Sequence, residues 1–452
     1  MMNGYLQLLR ERVNVMSNLN AYWRPFNRAD NPSILEVVSG SGVNLFDEDG
    51  KRYLDAYSGL WNMHYGYSDE DIKGAIIDQL NTLPYVNPIT INYPKIEELS
   101  QLLCRITHKD IDKIIYTCSG SESNEGAIKL ARKYSSLKGS SRRAIGVIEN
   151  SYHGSYYGSM SASTYEGKNR EGYGPILRGF VSLSMPFTRE SKMDEFSVEC
   201  KEEMVCSLKE ELNVLKDHLC AIIIEPIIAS GGVIPLFKEY IVTLYEFCQE
   251  NDILLICDEI ATGFGRTGQM FCFQHYDIKP HIITLSKGIN NGYLPMGAIC
   301  VTKKIVEQFI ENKEIIFHLS TQNGNPMSVA AALANINKML KDNILLKVRE
   351  NSGFILKTLK NDLRKFSSIF DIRCVGMMFA IDIVDEYGKP IAPEKLSELM
   401  QKIYSLGCIV GSAYVEDITS AILVLPPFII TKGDVKRLSK TISKAMIEFN
   451  LF

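Results

Sequence analysis

The chain lacks the features that mark secreted, membrane and metal-binding proteins. Its 11 cysteines are odd in number and irregularly spaced, and none forms a Cys-x-x-Cys pair, which disfavours a disulfide framework or a zinc site. No apolar run approaches the roughly twenty residues of a membrane span. Charged residues at 10–12 interrupt the stretch where a signal peptide needs unbroken apolar sequence. We therefore expect no metal, no membrane partner and a cytoplasmic location.

An excess of charge is also missing, as are repeats and low-complexity tracts. The formal net charge is only −4 over 452 residues, with basic residues spread along the chain. This balance gives no reason to expect a nucleic acid as a partner. An apolar content of 46% is ordinary for a globular protein, and the length suffices for one large and one smaller domain. A small-molecule partner is the remaining expectation.

Short apolar runs of strand length alternate with amphipathic segments of helix length. The five clearest runs are 114–117, 144–148, 221–224, 253–257 and 282–285. They are apolar throughout rather than alternating, which is typical of parallel strands covered by helices on both faces. The pattern predicts an α/β fold with a mostly parallel sheet.

Three regions follow from this pattern. We predict a large α/β domain over 60–329 and a smaller α+β domain over 330–452, with strands near 379–384 and 421–425. Residues 1–59 contain turn signals between short strand-like runs. We expect this N-terminal segment to pack with the smaller domain.

The strand ends carry the first candidate functional residues. Lys287 follows one apolar run, and Asp258 ends another, 29 residues upstream. Open α/β sheets bind ligands at the carboxyl ends of their strands. A lysine at such a position is a candidate Schiff-base amine. Most single lysines are solvated surface charges, but the paired acid strengthens the interpretation as a site.

Two glycine-containing segments need separate interpretations. Ser119, Gly120 and Ser121 lie between a strand and a helix, where free backbone N–H groups can hold a phosphate. An ordinary helix N-cap explains these residues equally well. The run 263–268 satisfies Gly-x-Gly-x-x-Gly, but no clear helix start follows it and an acidic pair separates it from its strand. We therefore disfavour a dinucleotide site there.

These motifs together resemble the class III aminotransferases, which use pyridoxal 5′-phosphate on a fold-type-I scaffold. The likeness rests on 254–268, 286–288 and 292–298, and it extends to Ser-Gly-Ser-Glu at 119–122, Tyr-His-Gly-Ser at 152–155, Glu-Pro at 225–226, Thr321, 324–326 and Pro-Pro at 426–427. It covers nearly the whole chain in the family's order.

The resemblance implies a role for each matched residue. Lys287 would form the internal aldimine and then act as a base, while Asp258 would face the pyridine nitrogen. Thr321 would reach the cofactor phosphate of a neighbouring subunit, which implies a homodimer. The other implied cofactor contacts are Gly120 and Ser121 at the phosphate, Tyr152 and Ile260 on the two ring faces, and His153 and Glu225 nearby. For His153 and Glu225, a purely structural role is an open alternative.

The substrate pocket departs from the family pattern. Many relatives bind a substrate carboxylate through an arginine three residues before the Pro-Pro pair, but Leu423 stands there. The stretch 409–415, where other members carry a mobile arginine, has none. Trp61 occupies the aromatic position of ω-transaminase-like members, and Tyr22, Trp23 and Arg24 are further candidates for the pocket lining. We expect an amine donor that is a primary amine or ω-amino compound with an apolar body, and a keto acid or aldehyde acceptor.

Two other functions stay open on the sequence alone. The same lysine, acid and phosphate loop also serve amino acid racemases and amine-shifting aminomutases, and the fate of the abstracted proton depends on the pocket. A catalytically idle binding protein is the second alternative, but its expected signature is loss of the lysine or the acid, and both are present. Loss of the amino group to an external keto acid distinguishes transamination from the other reactions.

Overall fold

The computed structural model describes residues 21–30, 35–165, 170–189, 192 and 195–449. Within this part, the strands are β1 (Ser39–Ser41), β2 (Asn44–Phe46), β3 (Arg52–Asp55), β4 (Ile111–Thr117), β5 (Ala144–Ile148), β6 (Phe180–Leu183), β7 (Leu219–Ile224), β8 (Ile227–Ile228), β9 (Ile234–Pro235), β10 (Leu254–Asp258), β11 (Ile282–Leu285), β12 (Gly297–Thr302), β13 (Ile369–Val375), β14 (Met378–Ile383), β15 (Cys408–Ile409), β16 (Gly411–Val415) and β17 (Thr419–Val424).

The helices of the same described part are α1 (Ser58–Trp61), α2 (Glu70–Thr82), α3 (Pro94–Ile106), α4 (Gly120–Leu137), α5 (Tyr157–Ala162), α6 (Val198–Leu215), α7 (Lys238–Glu250), α8 (Lys303–Glu311), α9 (Pro326–Lys341), α10 (Ile344–Leu363), α11 (Pro393–Ser405) and α12 (Lys432–Glu448). None of these helices combines the length and apolar composition needed to cross a bilayer.

A seven-stranded sheet in the order β4-β12-β11-β10-β7-β5-β6 organises the larger part of the chain. All its neighbouring strands are parallel except β12, which is antiparallel to both β4 and β11. The other six strands therefore end at the same edge. This topology brings the residues after β4, β5, β7, β10 and β11 together, as the α/β prediction requires.

Both faces of the sheet are covered, because successive side chains of each strand enter opposite cores. In β7, Ile222 and Ile224 belong to one buried cluster, whereas Ala221 and Ile223 belong to another. The strand β10 alternates in the same way. Burial on both sides explains why the strands are apolar throughout rather than at every second residue.

A second, antiparallel sheet in the order β13-β14-β17-β16 forms in the C-terminal part. The N-terminal strands join this part through the backbone, since β3 pairs in parallel with β15. Leu54 N–H donates to the carbonyl of Gly407 (3.0 Å), and Ala56 N–H donates to that of Ile409 (2.9 Å). The division at 59/60 and 329/330 stays a proposal; the second boundary falls inside the continuous helix α9.

Two strands of the large sheet were missing from the sequence prediction. The edge strand β6 is a run of only four residues, two of them half-buried. The strand β12 is buried throughout, but its apolar run directly follows a turn-rich segment. The five strands that were predicted for this sheet are all present, with small shifts at their ends. Shifts of this size are the usual accuracy of such boundaries.

Candidate active site

Asp258 is a buried carboxylate with three hydrogen-bond donors. It ends β10, and its side chain is only 4% exposed. Its Oδ2 accepts from His153 Nδ1 (2.8 Å) and Asn124 Nδ2 (2.7 Å), and its Oδ1 accepts from the Ile260 N–H (3.0 Å). These bonds fix the plane of the carboxylate, and they leave Oδ1 with acceptor capacity.

Lys287 follows β11, the strand that pairs with β10, so it lies at the same edge as Asp258. Its backbone φ is +38°, in the left-handed region that costs energy for a side chain with a Cβ. Its Nζ lies 4.3 Å from the centroid of the Trp61 ring. With the residues that the structure describes, this amine makes no ion pair and no hydrogen bond.

Burial lowers the pKa of Lys287 to about 8. The carboxylates of Asp258 and Glu225 oppose this effect, and the Arg266 guanidinium adds to it. At neutral pH the site therefore holds an amine that loses its proton far more easily than an exposed lysine. Such an amine is suited to attack a carbonyl carbon or to accept a proton.

Glu225 is the second buried acid of the site. It follows β7, and its carboxylate accepts from the N–H groups of Tyr152 (2.8 Å) and Ala229 (3.3 Å). Burial raises the pKa of Glu225 to about 7, while nearby His153 opposes the shift and Asp258 adds to it. Glu225 therefore holds the backbone at Tyr152 and changes charge near neutral pH.

A helix N-terminus faces the same edge. The helix α4 begins at Gly120, and Ser119 caps it by accepting from the Glu122 N–H (3.2 Å). A Cβ on Gly120 would lie 2.8 Å from the Ile260 side chain, so a larger residue there would force Ile260 to move. The Ser121 hydroxyl accepts from the Ser155 N–H (3.2 Å). Free N–H groups of the first helical turn and the adjacent hydroxyl can hold a phosphate.

The wall beside Lys287 is apolar. Trp61 and Leu423 belong to one buried cluster, and Tyr57 packs edge-on against Trp61 with centroids 5.8 Å apart. Leu423 pairs across the sheet with Gly411, so the residue three before the Pro-Pro pair lies beside the stretch 409–415 that also lacks an arginine. A Cβ on Gly411 would lie 1.9 Å from the Tyr57 ring. Tyr57 therefore fills the space that a side chain at position 411 needs.

Four sequence candidates are exposed or half-buried in the single chain, unlike the buried residues of this group. Thr321 is exposed, and its carbonyl accepts from the Tyr85 hydroxyl (3.1 Å). Tyr22 and Trp23 are 70% and 68% exposed, and the Trp23 indole donates to the Asn27 carbonyl within its own turn. Arg24 is half-buried in the same segment. Contacts within one chain therefore do not test their predicted roles.

Sequence reasoning missed three residues that the structure places at the site: Asn124, Thr284 and Tyr57. Asn124 is fully buried on α4 and lies on the same helical face as Ala127 and Ile128. A polar residue within an apolar helical stripe was the available signal. Tyr57 gave no comparable signal, because its role depends on contact with distant Gly411.

The Gly-x-Gly-x-x-Gly run at 263–268, where a dinucleotide site was disfavoured, does not open a helix. Turns run through it, with Gly265 and Gly268 both at φ +87°. Arg266 is buried among them and donates to the carbonyl of Pro426 (2.7 Å) and to the Ser58 hydroxyl (3.3 Å). This segment joins the two parts of the chain.

Comparisons with known proteins identify the scaffold. The sequence profile described as Aminotransferase class-III matches residues 26–446. The chain belongs to the class III aminotransferases. It is 31% identical to an uncharacterized aminotransferase of Bacillus subtilis (strain 168), and the match covers 94% of each chain. It is also 31% identical to the taurine–pyruvate aminotransferase of Bilophila wadsworthia, again over 94% of each.

Among solved structures, this class III aminotransferase is similar to an (S)-enantioselective omega-transaminase from Thermomicrobium roseum. The TM-score is 0.88 at 29% identity, and the match covers 97% of this chain and 98% of the other. The fold is therefore that of the fold-type-I transaminases, as the motifs indicated.

A class III aminotransferase depends on pyridoxal 5′-phosphate, and the residues present fit this cofactor. Oδ1 of Asp258 can accept a hydrogen bond from a ring nitrogen, and the start of α4 can hold a phosphate. The Lys287 amine is available to the aldehyde. Within the described residues, no cluster of side chains is placed to hold a metal ion.

Proposed function

We propose that Lys287 is the amine that carries the cofactor and that Asp258 pairs with the cofactor's ring nitrogen. The observation that carries the proposal is the buried Asp258 carboxylate beside a lysine amine that burial has made easy to deprotonate. Bound pyridoxal 5′-phosphate supplies an aldehyde for the amino group and a ring that accepts electrons from the substrate carbon. Asp258 stabilises positive charge on that ring.

Lys287 also serves as the base in this proposal. With a pKa near 8, the amine accepts the proton removed from the substrate carbon and can release it again without a large penalty. The Trp61 ring beneath Nζ limits the directions in which the amine can move.

The remaining cofactor contacts follow from the strand ends. We propose that Gly120 and Ser121 bind the phosphate, that Tyr152 and Ile260 cover the two ring faces, and that His153 and Glu225 orient these groups. Support comes from the close approach of Gly120 to the Ile260 side chain and from the hydrogen bond between Glu225 and the Tyr152 backbone.

The apolar wall supports a donor without an α-carboxylate. We propose that the enzyme transfers the amino group of a primary amine or ω-amino compound to a keto acid or aldehyde. Leu423 cannot form the paired hydrogen bonds that an arginine offers a carboxylate, and Tyr57 blocks the space beside Gly411. Trp61 would contact the apolar body of the donor.

A matrix of amine donors and carbonyl acceptors tests this proposal. Loss of the visible band of the cofactor-loaded enzyme on adding each donor reports the first half-reaction. We expect apolar ω-amines to react, and Trp61→Ala to change their relative rates. Strict use of short dicarboxylic amino acids, with no reaction of apolar ω-amines, would contradict the proposal. Tyr387→Ala, at an exposed position of the C-terminal part, is the matched control and should leave the relative rates unchanged.

We also propose that the enzyme acts as a cytoplasmic homodimer in which Thr321 reaches the neighbour's cofactor phosphate. The segment before Thr321 exposes large apolar side chains, among them Phe317 (87%) and Leu319 (58%), and Ile89 (70%) is also exposed. Exposed apolar patches of this kind mark protein interfaces. All eleven cysteines are unpaired, which is consistent with a reducing compartment.

Sedimentation measures the subunit number directly. Phe317→Asp should shift the mass toward a monomer and weaken cofactor binding, whereas Val214→Asp, at an exposed site on α6, should leave both unchanged. A wild-type monomer that binds the cofactor tightly would contradict the dimer.

A further inference from the structure

Asn124 connects three elements at the carboxylate of Asp258. Its Nδ2 donates to Oδ2 of Asp258 (2.7 Å) and to the carbonyl of His153 (2.7 Å). Its Oδ1 accepts from the hydroxyl of Thr284 (2.7 Å). Both Asn124 and Thr284 are fully buried. Every hydrogen-bonding group of this amide is therefore used inside the protein.

Thr284 and the two acceptors fix which way the amide points. A rotation by 180° would place Oδ1 against the His153 carbonyl and the Asp258 carboxylate, which are both acceptors. The same rotation would place Nδ2 against the Thr284 hydroxyl. An amide nitrogen does not accept a hydrogen bond, so the hydroxyl proton would lose its partner. Thr284 lies on β11 and pairs in register with Asp258 on β10. The hydrogen bonds from Thr284 to Asn124 and from Asn124 to Asp258, here called the amide relay, therefore join two neighbouring strands through α4.

The arrangement distinguishes the two oxygens of Asp258. Oδ2 accepts hydrogen bonds from both His153 Nδ1 and Asn124 Nδ2, which use most of its acceptor capacity. Oδ1 receives only the Ile260 N–H within the described part of the chain. A carboxylate held in this way has one oxygen left to meet a further donor.

We propose that Asn124, with Thr284 behind it, is a positioning residue that turns Asp258 so that Oδ1 faces the cofactor's ring nitrogen. The inference rests on the proposed role of Asp258. Asn124 does not touch the reacting atoms; it acts through the carboxylate. Fully satisfied buried networks of this type hold a single geometry, and the loss of one member releases the others.

Isosteric substitutions test the relay without changing volume. Asn124→Asp removes both donated hydrogen bonds, and Thr284→Val removes only the hydroxyl that fixes the amide. Thr284→Ser keeps that hydroxyl at the loss of one methyl group and is the rescue variant. For each variant, the cofactor dissociation constant, the pH midpoint of the visible band of the loaded enzyme, kcat and KM for the donor, and unfolding of the cofactor-free enzyme are measured.

We expect Asn124→Asp to weaken cofactor binding and lower kcat by about 10- to 100-fold, because hydrogen bonds to charged groups are the strong ones. The pH midpoint of the visible band should shift, and KM for the donor should change little. Thr284→Val should act in the same direction, by about 3- to 10-fold. Thr284→Ser should behave as the wild type.

A purely structural role would move only the unfolding transition. If Asn124→Asp and Thr284→Val leave the cofactor dissociation constant and the pH midpoint unchanged, the proposal is overturned. Should Asn124→Asp fail to fold, the comparison of Thr284→Val with Thr284→Ser decides alone. Asp258→Asn distinguishes failure of the positioning by Asn124 from failure of the proposed role of Asp258. If Asp258→Asn also leaves cofactor binding and the pH midpoint unchanged, the proposed role of Asp258 itself is wrong.

Discussion

Replacing Lys287 with methionine should stabilise the cofactor-free enzyme while abolishing its activity. The ordinary lysine pKa of 10.5 falls to about 8 in the folded chain. A base with a lowered folded pKa destabilises the fold wherever it is protonated in both states, and the cost fades as the pH rises from about 8 toward 10.5. At pH 7 this cost is about 3 kcal/mol, and at pH 9.5 about 1 kcal/mol.

Urea unfolding of the cofactor-free protein measures this difference. Lys287→Met should raise the free energy of unfolding at pH 7 by up to about 3 kcal/mol, and the gain should shrink at pH 9.5. Lys209→Met is the matched control, because Lys209 is exposed on α6 and should show no gain at either pH. A Lys287→Met protein no more stable than the wild type at pH 7, or a gain independent of pH, would refute the reasoning.

The remaining predictions concern the carboxylate and the apolar wall. Asp258→Asn should lower kcat/KM by at least about 100-fold, corresponding to about 3 kcal/mol of transition-state stabilisation, in steady-state assays with saturating cofactor; near-normal turnover would remove Asp258 from the mechanism. Gly411→Ala should cost about 2 kcal/mol in denaturant unfolding, since its Cβ would overlap the Tyr57 ring. The Tyr57→Ala background should relieve most of that cost, so additive effects in the double-mutant cycle would show that the two residues do not compete for space.

The sequence could predict that the candidate residues meet at one edge of the sheet, because parallel strands all end at the same edge. The candidate functional residues stand at or just after the ends of buried apolar runs. Asp258 is the last residue of β10, and Lys287 follows β11. The periodicity fixed neither the partner of each strand nor the direction of β12, which depends on hydrogen bonds to both β4 and β11. Sequence patterns report burial more directly than pairing.

The contact of Tyr57 with Gly411 and the hydrogen bonds of Asn124 were not predicted from the sequence, for a different reason. The contact between Tyr57 and Gly411 joins residues more than 350 positions apart, and the absence of a side chain at 411 makes it possible. Asn124 stood within a motif that a simple helix cap already explained. The predicted role of Thr321 involves a neighbouring subunit, and Trp23 is exposed in this chain, so contacts within one chain test neither role.

Covalent mapping of the cofactor tests the central claim most directly. Borohydride reduction of the loaded enzyme fixes an amine-linked cofactor permanently, and digestion followed by mass spectrometry locates the modified residue. We predict a single modification at Lys287, and none when the cofactor is added to Lys287→Met. A cofactor fixed to another lysine, or an active enzyme in which Lys287 stays unmodified, would contradict the account.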